Sequence, residues 1–151
     1  MRLCAKSGVA VIFTPELPKT RISGATRWLN ANKALIQLSL RYKTDDHLWF
    51  TFFHEAGHIL LHGKKDVFIE SDGDTDTKEV EANRFAANFL IPPAEFKRIS
   101  MSANISKKAI VSFAKEIGIS PGIVVGRLQH EGILKRSYRN ELKKSFEWEK
   151  Q

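Results

Sequence analysis

Residues 50–63 read FTFFHEAGHILLHG, and this stretch decides how the rest of the chain is interpreted. Its apolar side chains occupy nearly every direction around a helical axis, which predicts a helix that is buried on most sides. Thr44, Asp45 and Asp46 precede the stretch as a helix start, because a hydroxyl can cap free amides and carboxylates are favourable in the first turn. We therefore expect a helix that runs to about His62.

Polar residues inside such a helix need a reason, and three of them form the pattern H-E-x-x-H: His54, Glu55 and His58. Histidines four residues apart lie on one face, about 6 Å apart along the axis, so both imidazoles can bind one zinc ion. Glu55 is offset from that pair and can accept a proton from a water that the zinc activates. The alternative is a pair of core histidines hydrogen-bonded to the backbone, where each unsatisfied polar group costs about 1–3 kcal/mol. Gly57 favours a special site, because a helical glycine is tolerated where another backbone comes close.

A zinc enzyme of this kind needs a third protein ligand and keeps a fourth position for water. His62 continues the four-residue spacing, but it stands about 12 Å along the axis from His54, too far for three rings on a straight helix to meet at one ion. We therefore expect His62 to contact the ligands from outside or to end the helix.

The next segment, residues 78–92 with the sequence KEVEANRFAANFLIP, predicts a second helix that ends at its prolines. The inward stripe of this helix is expected to hold Ala82, Phe85, Ala86, Phe89 and Leu90. Glu81 stands four residues before Phe85 on that side, and we predict that Glu81 is the third metal ligand. Glu79 lies about 200° away around the axis and is the fallback. The alternative for Glu81 is a surface ion pair with Arg84 or Lys78.

Other parts of the chain predict an α+β fold, because strands come first and helices later. Strand-like patterns cover Val9–Thr14, Ile22–Leu29, Ala34–Leu40 and Val67–Ile69, and further helices are expected over Pro93–Ile99, Lys107–Ile117 and Pro121–Glu131. We expect a single domain over residues 1–151. Residues 1–92 would hold a small sheet and the metal-site helices, and residues 93–151 would form a helical C-terminal portion.

Composition excludes several classes of protein. The chain has 151 residues, 42% hydrophobic and 27% charged, which is typical of a globular domain. Its apolar stretches fall far short of the roughly 18–20 residues that span a bilayer, so no membrane association is expected. Cys4 is the sole cysteine, which excludes an intramolecular disulfide and a cysteine-based zinc site. No signal peptide is evident, and we expect a cytoplasmic protein.

A formal net charge of +7 permits attraction to nucleic acid without requiring it. Residues 113–128 have the apolar spacing and glycine turn of a helix-turn-helix, which keeps a DNA-binding regulator as an alternative. The second helix of that motif offers few side chains for reading bases, so direct nucleic-acid binding is not favoured. Residues 71–77 are expected to form a solvated acidic loop; a calcium loop is disfavoured because Thr77 stands where glycine is needed.

The two helical segments together resemble the ImmA/IrrE family of zinc metallopeptidase-like proteins. In that family, H-E-x-x-H is followed by a second helix that contains E-A-N-x-F-A and ends in a proline. Residues 24–50 and 120–132 also resemble the peptidase-like region of HigA-type antitoxins and related regulators. The resemblance covers about residues 8–134 and implies a zincin-like fold.

The resemblance implies that His54, His58 and Glu81 take the metal-ligand places and that Glu55 takes the general-base place. It also implies a regulatory protease that cleaves a transcriptional repressor or an antitoxin, although some relatives are non-proteolytic. A zinc-bearing sensor or interaction module of a toxin-antitoxin or stress regulator is therefore a second hypothesis. HigA-type relatives carry a DNA-binding domain ahead of this region, for which there is no room before Val9, so we expect a free-standing domain or a fragment. Tyr42, His62 and Tyr138 stay open as oxyanion-stabilising residues.

Overall fold

The computed structural model describes residues 2–16, 22–63, 67–69, 77–102 and 104–148. The predicted acidic loop falls on residues 71–77, and all of it except Thr77 lies outside the described residues. The secondary structure of the described part begins with α1 (Arg2–Lys6), β1 (Val9–Thr14), β2 (Gly24–Asn30), β3 (Lys33–Ser39), α2 (Asp45–Leu61) and β4 (Val67–Ile69). It continues with α3 (Thr77–Leu90), α4 (Pro93–Ser100), α5 (Lys107–Ile117), α6 (Pro121–His130) and a 3-10 turn at Asn140–Leu142. The predicted α+β class is confirmed.

The four strands form one sheet in the order β1-β3-β2-β4. β1 is parallel to β3, while β2 is antiparallel to both β3 and β4. The backbone amide of Asn32 donates to the Asn30 side chain at 2.9 Å, which closes the turn between β2 and β3. Ala34, Ile36 and Leu38 alternate along β3 and are almost fully buried, so β3 contributes one apolar face to the core.

The described chain divides into two compact units. Unit 1 comprises residues 1–41 and 51–86, and unit 2 comprises residues 42–50 and 87–151. Unit 1 therefore holds the sheet, most of α2 and the first part of α3. The expected portions met between residues 92 and 93. In the structure, unit 2 instead begins at residue 87 and also takes in residues 42–50, which include the first turns of α2. The single domain expected over residues 1–151 stays a prediction.

Unit 2 is built on a helical apolar core. Its buried members are Ile91, Ile99, Ile110, Phe113, Ala114, Val124, Val125 and Leu128. Ser106 caps α5, since its hydroxyl accepts a hydrogen bond from the Ala109 amide at 3.2 Å. Five of the ten residues of α6 are buried, so one face of this helix packs against the core. The helix-turn-helix alternative stays a prediction.

The start of α2 is held in unit 2 by a group of polar side chains that we call the carboxylate cluster: Asp45, Asp46, Ser120 and Lys143. Asp45 accepts hydrogen bonds from the Ser120 hydroxyl and from the backbone amide of Lys144. Asp46 lies 2.6 Å from the ammonium of Lys143. Thr44 was expected to cap the helix through its hydroxyl, and that expectation is wrong: its Oγ1 has no hydrogen-bond partner among the described residues.

Within the described residues, no single helix is long and apolar enough to cross a membrane. α5 and α6 reach the required length and hydropathy only as a pair, and they are bent by 113° where they meet.

Candidate metal site

Helix α2 places His54 and His58 side by side in unit 1, as the H-E-x-x-H spacing predicts. Both are buried, with 1% of each residue exposed, and their Nε2 atoms are 3.0 Å apart. Glu55, between them in the sequence, is fully buried. Two imidazoles and a carboxylate thus lie inside the protein, where unsatisfied polar groups are costly.

The third member of the group comes from α3 and is Glu79. Its Oε2 lies 3.1 Å from Nε2 of His54, and its Oε1 lies 3.1 Å from Nε2 of His58. Glu79 is itself buried, at 7% exposure. One ligand atom from each of the three residues lies within 4.8 Å of the others. We call these residues the histidine cluster: His54, His58 and Glu79.

Glu81, predicted as the third ligand, does not join the cluster, and the fallback Glu79 takes its place. The side chain of Glu81 is 50% exposed, and its Oε2 lies 3.1 Å from Nε2 of His62. The sequence placed Glu81 inward because it stands four residues before Phe85, but one member of the expected stripe, Phe89, is exposed. The residues of α3 that are buried are Glu79, Ala82 and Ala86.

The spacing of that buried stripe was a signal that the sequence contained. Ala82 and Ala86 stand three and seven residues after Glu79, which places all three on one face of a helix. Small residues on this face let α3 approach α2 closely. A Cβ added to Gly57 would lie 3.1 Å from Cδ1 of Phe85 and 3.3 Å from Cα of Ala82. The close backbone contact expected at Gly57 is therefore confirmed.

A chain of hydrogen bonds runs outward from His58. Its Nδ1 lies 2.9 Å from Nδ1 of His62, and Nε2 of His62 faces the Glu81 carboxylate. An ionised carboxylate only accepts, so His62 carries its proton on Nε2 and, when neutral, accepts at Nδ1. His58 must then donate from Nδ1, which leaves a lone pair on its Nε2.

His54 reaches the same state through a different partner. Its Nδ1 lies 3.0 Å from Oδ1 of Asn83, an acceptor, so Nδ1 carries the proton and Nε2 carries a lone pair. Burial lowers the pKa of His54 below its ordinary value; the Asn83 hydrogen bond acts in the opposite direction, and the nearby His62 adds to the lowering. A lowered pKa favours the neutral imidazole, which is the form that binds metals.

The histidine cluster is therefore a group of electron-pair donors that face one another. The two Nε2 atoms present lone pairs, and the two Glu79 oxygens lie 3.1 Å from them. Such atoms repel unless a positive charge lies between them. In tetrahedral zinc sites, ligand atoms stand 2.0–2.1 Å from the ion, which separates neighbouring ligands by about 3.3 Å. The donor set, its spacing and its burial all fit a zinc ion.

The general-base candidate Glu55 is enclosed from the sheet side by Gly24, the first residue of β2. A Cβ added to Gly24 would lie 2.5 Å from Oε1 of Glu55 and 2.6 Å from Cγ2 of Thr51. A side chain at this position would have to displace the Glu55 carboxylate. β2 and α2 can therefore pack at this distance because residue 24 lacks a side chain.

Three residues were left open by the sequence as oxyanion-stabilising candidates, namely Tyr42, His62 and Tyr138. His62 contacts the cluster from outside, as expected, through His58. Tyr42 stacks on His47 with ring centroids 4.1 Å apart, and Tyr138 is exposed. Asn83 was not predicted to contribute to the site, although it stands within the same E-A-N motif as Glu81.

The sheet, the H-E-x-x-H helix and the carboxylate supplied by the following helix define a zincin-like α+β domain with a candidate metal centre. The chain matches the family model Peptidase_M78, the IrrE N-terminal-like domain, over residues 4–129. It belongs to this family, which confirms the resemblance found in its sequence. No curated protein was found to be significantly similar to the chain.

Proposed function

We propose that this protein is a zinc-dependent endopeptidase that cleaves a regulatory protein, namely a transcriptional repressor or an antitoxin. Membership of the Peptidase_M78 family supports metallopeptidase chemistry. The observation that carries the proposal is the convergence of His54, His58 and Glu79, each of which offers one ligand atom within 4.8 Å of the others.

Each residue has a distinct task in this proposal. Zinc, when bound, supplies a Lewis acid that polarises the scissile carbonyl and makes a water molecule more acidic. His54, His58 and Glu79 hold the ion. Glu55 accepts the proton of the attacking water and passes it to the leaving amine. Its complete burial keeps bulk water from competing for that proton.

The choice of substrate rests on the family resemblance. A repressor or antitoxin is a protein that must be removed quickly when a stress or mobile-element response begins, and irreversible cleavage achieves this. A cytoplasmic location is consistent with such a target and stays a prediction from the sequence. Cleavage requires an extended segment of the substrate, so we expect an exposed or locally unfolded part of the target to be cut.

Metal content tests the first half of the proposal. Elemental analysis of the purified wild-type protein should find about one zinc ion per chain. His58→Ala and Glu79→Ala should lose most of the bound zinc. Glu81→Ala should still bind about one zinc ion per chain when one equivalent of zinc is supplied. Retention of zinc by Glu79→Ala together with its loss from Glu81→Ala would restore the ligand set that was predicted from the sequence.

Proteolysis tests the second half. The protein is incubated with the repressor encoded beside its own gene, and Glu55→Gln serves as the matched variant because it keeps the size of the side chain and the metal ligands. Cleavage by wild type alone supports the endopeptidase, with a rate loss in the variant of about 10²-fold or more. A zinc-loaded protein that binds the repressor without cutting it would instead favour the sensor or interaction module.

A further inference from the structure

We infer that Glu81, His62 and Asn83 are positioning residues that fix the tautomers of the two histidine metal ligands. This inference rests on the proposed zinc site and adds to it a set of residues that bind neither the ion nor the substrate. Their task is to place a proton on Nδ1 of each ligand, so that each Nε2 is left as a lone pair that points into the histidine cluster.

On the His58 side, the proton is placed by two successive hydrogen bonds. The Glu81 carboxylate accepts from Nε2 of His62 at 3.1 Å, and this leaves Nδ1 of His62 as an acceptor for His58 at 2.9 Å. With His62 neutral, each step has one permitted direction, because a carboxylate cannot donate and a neutral imidazole carries one proton. Glu81 thus determines the tautomer of a residue that it does not touch.

On the His54 side, a single amide does the same task. Oδ1 of Asn83 accepts from Nδ1 of His54 at 3.0 Å. Asn83 and Glu81 both belong to α3, the helix that also supplies Glu79. One helix therefore contributes both the third ligand and the partners that prepare the other two.

The exposure of these partners distinguishes a positioning role from a packing role. The carboxylate of Glu81 is half exposed and Asn83 is an exposed residue, so neither contributes much buried apolar area. An exposed ion pair contributes little to the stability of a fold. Loss of the corresponding partner in known metal sites lowers metal affinity about 10–100-fold, which is a much larger effect than exposed packing would give.

The first experiment measures zinc affinity by competition with a chromophoric chelator. Glu81→Ala removes the acceptor, whereas Glu81→Gln keeps a carbonyl oxygen in its place. Asn83→Leu and Asn83→Asp form the same contrast for His54. We expect a 10–100-fold loss of affinity in Glu81→Ala and Asn83→Leu, and a loss of less than about 5-fold in Glu81→Gln and Asn83→Asp. Glu116→Ala, which removes an exposed carboxylate from α5, is the matched control and should bind zinc as wild type does.

The second experiment reads the proton directly. In the zinc-loaded wild type, NMR of the imidazole groups should show an Nδ1–H proton on both His54 and His58, slowed in its exchange with solvent by its hydrogen bond. His62→Phe removes the acceptor for His58 and should accelerate exchange of that proton alone. Asn83→Leu should do so for His54 alone. A merely structural role of these residues would not change one histidine and spare the other.

The outcomes separate this inference from the proposed function. If wild type binds no zinc, or if Glu79→Ala binds it as wild type does, the metal site itself is wrong. If wild type binds zinc through the histidine cluster but Glu81→Ala, Asn83→Leu and His62→Phe keep both the affinity and the protected Nδ1–H protons, the metal site stands and the positioning role is overturned.

Discussion

Helix α2 carries two groups of buried polar side chains, the carboxylate cluster in its first turn and the histidine cluster further along. In the carboxylate cluster, both carboxylates are met by donors: Asp45 accepts from the Ser120 hydroxyl and a backbone amide, and Oδ2 of Asp46 faces the ammonium of Lys143. The other oxygen of Asp46, Oδ1, has no hydrogen-bond partner among the described residues. In the histidine cluster, two lone pairs and a carboxylate face one another at 3.0–3.1 Å.

The difference shows how a structural polar group can be told from a ligand site without any ion being present. Both clusters are buried, and both contain carboxylates, so burial and charge do not separate them. The direction of each hydrogen bond does. The carboxylates of the first cluster are met by donors, whereas the histidine cluster brings together groups that can all accept, an arrangement that a cation stabilises.

The largest effect is expected from a change at Glu79, which should weaken zinc binding but stabilise the metal-free protein. Glu79→Gln replaces a carboxylate by an amide whose NH₂ group can donate to one of the two imidazole nitrogens 3.1 Å away. Zinc affinity should fall about 10²–10³-fold, since one of four ligands contributes roughly a quarter of the binding free energy. The metal-free protein should become more stable by about 1 kcal/mol because a repulsive contact becomes a hydrogen bond. Chelator competition and urea unfolding in the presence of EDTA measure the two effects.

If Glu79→Gln instead destabilised the metal-free protein, the Glu79 carboxylate would not be in a repulsive contact, and the histidine cluster would resemble the carboxylate cluster. His58→Gln is a companion variant that removes a ligand but keeps the Glu79 carboxylate. Its zinc affinity should also fall, which separates the loss of a ligand from the loss of the charge at residue 79.

Asp46→Asn makes the same carboxylate-to-amide change in the carboxylate cluster, and it should act in the opposite way. Lys143, which is largely buried, would lose its charged partner at 2.6 Å. Removing one member of a buried ion pair costs about 3 kcal/mol or more. We expect that loss in the free energy of unfolding with no change in zinc affinity, measured in the same two assays. An unchanged stability would show that this cluster is not the structural one.

The smallest expected effect concerns the packing around Glu55. Gly24→Ala adds a methyl group that would lie 2.5 Å from Oε1 of Glu55 and 2.6 Å from the methyl group of Thr51. Overpacking of this kind costs about 1–3 kcal/mol, and the carboxylate has to move. Peptidase activity should therefore fall more than zinc content. Elemental analysis and a cleavage assay, carried out on the same preparation, measure the two quantities. Equal losses of both would indicate general misfolding.

Much of the fold followed from local patterns. Val9–Thr14, Val67–Ile69 and Lys107–Ile117 have the bounds that the sequence predicted, and the H-E-x-x-H segment forms the expected helix. Val9–Thr14 lies between Gly8 and Pro15, and Lys107–Ile117 lies between Ser106 and Gly118, residues whose backbone preferences do not depend on the rest of the chain. The two histidines were identified for the same reason, since spacing on one helix fixes which side chains share a face.

The third member of the histidine cluster could not be obtained in this way. The choice between Glu79 and Glu81 depends on how α3 is rotated against α2. Ala82 and Phe85 both lie against Gly57, and the buried residues of α3 are Glu79, Ala82 and Ala86, so this face brings Glu79 to the histidines. Phe89 is left exposed.

By itself, the sequence determined the class of fold, the helix that carries His54, Glu55 and His58, and which two histidines share one face of that helix. These properties depend on the period of one helix and on the chemistry of its side chains, both of which are local. Tertiary structure alone decided that Glu79 completes the cluster and that Glu81 acts on it through His62. Those assignments depend on the rotation of one helix against another, which is set by packing between residues far apart in the chain.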